Sequence, residues 1–340
     1  MGSVKDLKVL KAPEKKEVGT GRFYFSDRYS IFDWGEMPDH IPNKGKSLCL
    51  LSAYFFEKLQ NYNVNSHYRG LIENDQLKTV EQLENPSEIM EVDLVKVIEP
   101  EYNNGKYDYS PYQKNPVNCL IPLEIIYRNT LPENSSFRKR VKNNEINIKD
   151  YGLSKLPGPA EKLSTPIFDV STKLEATDRY ISWQEASRIA GLNKDELQAA
   201  KKVLTTVNNL INEEVKKAGL SNLDGKIELA FDKNRNIIVV DAIGTPDECR
   251  FSYNNFSISK EAIRKYYRNT TWYREVSKAK EAAGPDWRSY VNSNPEPLPE
   301  ELKTLVSQLY MACTNKITGR KWFNDIPSFE TIKEKISSWL

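Results

Sequence analysis

The chain has 340 residues, 39% hydrophobic and 28% charged, which is enough to bury a sizeable core and excludes a disordered or fibrous protein. Its 49 lysines and arginines against 47 acids leave a net charge of +2, so no bulk field draws it to nucleic acid or a membrane surface. Four scattered cysteines and only two histidines, His40 and His67, argue against a zinc cluster, a disulfide framework or a histidine-centred triad, and leave chemistry to lysine, arginine and carboxylates.

Apolar runs such as Leu48 to Phe56 are far shorter than the roughly 20 residues a membrane helix requires. The opening Met-Gly-Ser-Val-Lys-Asp is unlike a signal peptide, so a cytoplasmic location is expected. Strands are predicted at Val4 to Leu10, Arg22 to Ser26 and Ile89 to Ile98. Between them Leu48, Leu51, Phe55 and Leu59 form one apolar stripe, predicting a helix over Ser47 to Gln60. Lys44-Gly45-Lys46 just before it offers backbone N–H groups and positive charge to an anion. From Glu101 to Val117 the composition turns to Asn, Tyr, Gly, Lys and Pro. That reads as a loop insertion and places a boundary between an N-terminal lobe, 1–100, and a C-terminal lobe, 101–340.

A strand is predicted at Cys119 to Tyr127, followed by a polar turn at Leu131 to Ser136 and the run Arg138-Lys139-Arg140, which alone reads as solvated surface. Ser182 with Glu185, and Asn193 with Glu196, have capping-box spacing; the second box opens a long helix that Gly219 closes. Beyond Ser259 the chain is again helical, with a proline-rich interruption at Asn294 to Pro299.

Lys226 to Asp232 and Asn236 to Asp241 are two strands of a hairpin. A two-residue loop, Asn234-Arg235, sets Lys233 opposite Asn236, and counting back sets Glu228 opposite Asp241. Two carboxylates at that spacing repel, and a hard divalent cation such as magnesium would offset them. Lys226 shares a face with Glu228 and is the alternative counter-ion. Next, the turn from Gly244 to Phe251 projects Arg250 near the strand end.

These segments resemble the SAICAR synthetase family. The matching strings run in family order: Ser26-Asp27-Arg28-Tyr29-Ser30-Ile31-Phe32-Asp33, Ile41 to Lys46, Pro122 to Asn129, Ser171-Thr172-Lys173-Leu174-Glu175, Asp224 to Glu228, Asp241 with Thr245 to Arg250, then Pro297 to Glu301 and Ile317 to Gly319. Ala242 stands where the family usually has glutamate. Gly2-Ser3-Val4-Lys5-Asp6 is similar to its phosphate loop, with Ser3 in place of a lysine.

The resemblance implies an α+β, two-lobed fold with antiparallel sheets and an ATP cleft between the lobes. It implies ATP-dependent ligation of L-aspartate to carboxyaminoimidazole ribonucleotide through an acyl phosphate, with Mg2+ as cofactor. On that reading Glu228 and Asp241 hold the metal, Lys5 meets the nucleotide phosphates, and Lys226 stands at the transferring group. The segment Lys96 to Glu99 lies against adenine. Arg128, Arg250 and a serine, Ser135 or Ser136, with Phe137 after it favouring Ser136, hold the ribonucleotide phosphate, Lys173 faces the same substrate, and Ser30 and Asp33 are further contacts. The partners are small molecules, with neither nucleic acid nor membrane; a homo-oligomer is left open. A kinase of related architecture acting on a small polyanion is the competing reading, and a nucleic-acid-binding protein a more distant one, disfavoured by the near-neutral charge.

Overall fold

The computed structural model describes residues 4–339, apart from the side chains of residues 283–286. Gly2 and Ser3 of the predicted phosphate loop lie outside the described residues. Residues 5–94 build a five-stranded antiparallel sheet from β1 (Lys5–Lys11), β2 (Gly19–Phe25), β3 (Tyr68–Glu73), β4 (Gln76–Lys78) and β5 (Ile89–Leu94), in the order β1-β2-β5-β3-β4. Helix α1 (Lys44–Leu59) packs beneath it, its Leu48, Leu51, Phe55 and Leu59 all fully buried or nearly so. The helix begins three residues before the predicted start. There the N–H groups of Asn43 and Gly45 donate to the Asp27 carboxylate at 3.2 and 2.9 Å, and Lys44 is buried 2.8 Å from Asp247. These groups already have an anion from the chain itself, so the expected anion site at the start of the helix is filled.

The segment expected to be a loop folds into a small hairpin, β6 (Glu101–Asn103) and β7 (Lys106–Asp108). Its turn is Asn104-Gly105, both with positive φ, the residue pair that fits the twist of a two-residue hairpin loop.

The second sheet is six-stranded, in the order β13-β12-β10-β8-β9, from β8 (Cys119–Arg128), β9 (Ile167–Thr172), β10 (Ser221–Phe231), β12 (Cys249–Tyr253) and β13 (Phe256–Ile258). Strand β11 (Ile237–Val240) shares an edge of β10 with β12, pairing along 228–231 while β12 pairs along 221–225. Every residue of β8 is buried, as befits the centre of the molecule. Helices α2 (Ser136–Lys142), α3 (Trp183–Ala190) and α4 (Lys194–Lys217) lie in the segments between these strands, and α5 (Glu261–Arg268), α6 (Thr271–Ala283), α7 (Glu300–Thr318) and α8 (Phe329–Ser337) follow. Asn193 and Glu196 form the full capping box. At α3 only Ser182 caps; Glu185 turns instead to Arg179 at 2.8 Å.

The hairpin register is one residue away from the expected one: Glu228 pairs with Val240 and Phe231 with Ile237. The loop holds three residues, not two. The Asp232 carboxylate accepts from the N–H groups of Asn234 and Asn236 at 2.8 and 2.7 Å, and Arg235 takes a left-handed φ of 65°. The extra loop residue slides the partner strand by one.

The two sheets are joined by backbone. Ser66 bridges Val239 in parallel, the His67 N–H donates to the Val239 carbonyl at 3.0 Å, and the Asp93 N–H donates to the His67 carbonyl at 2.7 Å. A second seam runs through Lys96, whose N–H and carbonyl bond Asn118 and Leu120 at 2.9 and 2.8 Å. Among the described residues no helix is long and apolar enough to cross a membrane.

Candidate active site

Directly opposed residues in antiparallel strands share a face, so β10 and its neighbours lay a polar floor on the sheet. Asp224 is opposite Arg128 on β8 and opposite Arg250 on β12, while Glu228 is opposite Glu124. Glu124 is in turn opposite Ser171 on β9, and Asp169 and Lys173 share the face of Ser171. Four residues at about 3.3 Å each separate Asp224 from Glu228 by about 13 Å. The two ends of this row differ in charge.

At one end two like-charged side chains are opposed, but they are Glu228 and Glu124, not Glu228 and Asp241. Lysines lie between them. Lys173 Nζ is 2.5 Å from Glu228 and 3.3 Å from Glu124, and Lys226 Nζ is 2.6 Å from Glu124 and 3.5 Å from Glu248. Burial opposes the charge on both lysines, yet the surrounding carboxylates, Glu248 and Glu124 for Lys226 and Glu228 and Glu124 for Lys173, hold their pKa values above normal. Each is therefore a fixed cation rather than a proton acceptor.

Asp241 leaves the end of β11 with a left-handed φ of 68°. That turn returns its carboxylate to the floor although its strand partner is lost. Burial pushes the Glu228 pKa up, and the Asp241 charge pushes it further. Burial would also raise Asp241, but Lys5, which forms an ion pair with it from β1, holds it down. His67 is buried beneath, its Nε2 3.1 Å from the Asp241 carbonyl and hence the protonated nitrogen there.

The other end holds arginines. Arg128, only 2% exposed, donates to Asp169 at 3.1 and 3.3 Å and to Ser136 Oγ at 3.0 Å, and lies 3.7 Å from Asp224. Arg250 grips Asp224 with two bonds, that from Nε being 2.7 Å. Ser136 Oγ in turn donates to the Tyr180 hydroxyl at 2.7 Å, whereas Ser135 is spent as the cap of α2. The structure thus brings Arg128, Ser136 and Arg250 together, and the Asp224 between them is what the sequence reading missed. The basic run is not solvated surface throughout: Lys139 is exposed, Arg138 bonds the Leu131 carbonyl at 2.6 Å, and Arg140 is buried against Asp169.

The remaining expected residues are less integrated. Ser30 makes no hydrogen bond among the described residues. Asp33 is largely exposed and pairs with Lys280 at 2.6 Å, though its charge reaches Asp178, which faces Lys173 and Lys226. Both backbone polar groups of Lys96 are used in the seam between sheets, so it cannot offer them to a base. Glu99 is exposed and, like Val97, makes no hydrogen bond among the described residues.

Among the described residues no three His, Cys, Asp or Glu side chains converge as a ready metal cage. The oxygen donors Glu228 and Asp241 nevertheless suit magnesium, which takes one or two carboxylates and completes its shell with water and phosphate. Each is paired with a lysine, Glu228 with Lys173 and Asp241 with Lys5.

The family model for SAICAR synthetase matches residues 5–280. A protein of Archaeoglobus fulgidus is 49% identical over 340 residues, all of both chains. The phosphoribosylaminoimidazole-succinocarboxamide synthase of Thermoplasma volcanium is 34% identical over 331 residues, covering 93% of this chain and 100% of that one. In fold, the SAICAR synthase of Saccharomyces cerevisiae complexed with SAICAR aligns with a TM-score of 0.63 at 24% identity, over 95% of this chain and 94% of that one. A SAICAR synthetase in complex with ADP aligns at 0.56 and 20% identity, over 87% and 99%. With the arginine end, the carboxylate-lysine end and these likenesses together, the chain belongs to the SAICAR synthetase family, ligases that join L-aspartate to a carboxylate at the expense of ATP in purine biosynthesis.

Proposed function

We propose that the floor of the second sheet orients carboxyaminoimidazole ribonucleotide end to end. Its phosphate lies at Arg128, Ser136 and Arg250, and its carboxylate lies farther along the strands, near Lys226 and Lys173. The observation that carries this reading is the row of side chains itself: an arginine-rich end and a carboxylate-lysine end on one face of β10.

ATP lies in the cleft between the sheets. Lys5 exchanges Asp241 for the nucleotide phosphates, and the base lies toward Val97 and Glu99, whose backbone groups are uncommitted. Glu228 and Asp241 would hold Mg2+, which when bound screens the phosphates and polarises the one transferred. A carboxylate oxygen of the ribonucleotide attacks the γ-phosphorus and ADP leaves. The L-aspartate amine then attacks the acyl carbon, inorganic phosphate leaves, and the nitrogen loses its proton. Lys226 and Lys173, held cationic by Glu124, Glu228 and Glu248, offset the charge of two anions brought together. Ser30 and Asp33 contact substrate from the loop above, in the vicinity of Asp178.

A small-molecule kinase is not favoured. The family model and the curated relatives that match this chain over nearly its whole length are ligases of this one reaction. The test is enzyme, ATP and the carboxylated ribonucleotide with and without L-aspartate: the succinocarboxamide product should form only with it. A phosphorylated product that accumulates stably and identically in both mixtures would overturn the ligase mechanism.

A further inference from the structure

Arg140, in the run that reads from sequence as ordinary surface, is 8% exposed. It forms an ion pair with Asp169, the carboxylate that also accepts from Arg128. Its guanidinium lies 4.0 Å from the centre of the Tyr180 ring, and the Tyr180 hydroxyl accepts from Ser136. Buried without a hydrogen-bond partner, Arg140 Nε brings no second carboxylate with it. The side chain borders a cavity of about 810 Å³ between α2 and α3, with Asp169 and Tyr180 in the same wall.

Counting charges shows what this arrangement does. Arg128 touches two carboxylates, Asp169 and Asp224, and Arg250 grips Asp224 as well. Two arginines against two aspartates would form a neutral cluster with little attraction for a phosphate. Arg140 is the third cation, and it leaves one positive charge in excess in a buried place where screening is weak.

We infer that Arg140 is a positioning residue for the ribonucleotide site: it neutralises Asp169 so that Arg128 keeps its charge for the substrate phosphate. This rests on the placement of that phosphate at Arg128, Ser136 and Arg250 proposed above. Arg140 does not itself touch the ligand. Its contribution is to prevent Asp169 and Asp224 from together consuming the charge of Arg128, and the aromatic face of Tyr180 keeps it in place.

Steady-state kinetics of the full-length enzyme test the idea, with thermal unfolding to confirm that each variant folds. Arg140→Gln should raise the KM for the carboxylated ribonucleotide about tenfold, with kcat and the KM for ATP within about twofold of wild type. Arg140→Lys should stay within about threefold. The decisive variant is Arg140→Gln combined with Asp169→Asn, which removes one charge of each sign and restores the excess of one cation; its ribonucleotide KM should return toward wild type. A packing role would predict the opposite, since the double variant loses more contacts than the single one. Should Arg140→Gln fail to fold, Arg140→Lys and the double variant still decide the matter. A ribonucleotide KM that is unchanged in Arg140→Gln, or no better in the double variant, would overturn the inference. If Arg128→Gln also leaves that KM unchanged, the phosphate placement falls with it; if Arg128→Gln raises it, only the role of Arg140 falls.

Discussion

Arg250 shows how far one side chain can be read from sequence and where that reading stops. Its position after the Thr245-Pro246-Asp247 turn, in a string that resembles the family, makes it the proposed phosphate ligand, but its grip on Asp224 is invisible because the two meet only across strands. Arg250→Lys keeps the charge and loses the fork, so the ribonucleotide KM should rise by a factor corresponding to about 1.5 to 3 kcal/mol, while the KM for ATP stays put. Titrating each substrate at saturation of the other is the check. At the proposed metal end, Glu228→Gln and Asp241→Asn should each remove most turnover without unfolding the protein, and any residual rate should need more Mg2+. Rate against Mg2+ concentration measures this, and near-normal rates at ordinary Mg2+ in both variants would refute the assignment. Residue types and their order were legible for nearly every proposed contact. The partners Glu124, Asp169, Asp224 and Tyr180 were not, since each is placed by pairing or packing between segments far apart in the chain.

Single elements were legible where local chemistry decides them. The apolar stripe of α1 and the Asn193–Glu196 box of α4 depend on neighbours within four residues, and both are present. Asn193→Ala should lower stability by about 1 kcal/mol, read as a lower midpoint in urea with unchanged slope. The 226–241 hairpin misled because its length was judged from the turn tips. Asp232 closes a longer loop with its own carboxylate, and one residue decides the register. A glycine just beyond it is under tighter constraint than any motif suggests. Gly244 has a φ of 67°, and a side chain there would overlap the Phe55 ring of α1. Gly244→Ala should therefore cost about 3 kcal/mol or more, through strain and overpacking together. Thermal unfolding with and without substrates would show a large drop; a variant as stable as wild type would mean that α1 yields easily.

At the scale of the whole molecule, the antiparallel sheets with flanking helices follow from the resemblance to the family, yet the way the sheets are joined does not. The joint consists of backbone hydrogen bonds from residues 65–67 to Val239 and from Lys96 to 118–120, positions with no sequence signature. Lys5 adds a side-chain tie from the first sheet to Asp241 beside the second. Magnesium and ATP together should stabilise the fold more than either alone, because each replaces one partner of that tie. At concentrations a hundredfold above Kd the shift should be about 2.7 kcal/mol, seen as a rise in Tm. Equal Tm values with the pair and with ATP alone would argue against Asp241 as the metal carboxylate.

The row along β10 also gives the pocket a polarity. Three arginines outnumber two aspartates at one end, and five carboxylates, Glu124, Asp178, Glu228, Asp241 and Glu248, outnumber three lysines at the other. On the placement proposed above, a ligand carrying a phosphate on one side only is held better at the arginine end than at the other. On that placement the fold would work as a compass needle in reverse, fixed while its ligand turns, selecting a correctly aimed reactant before shape is tested.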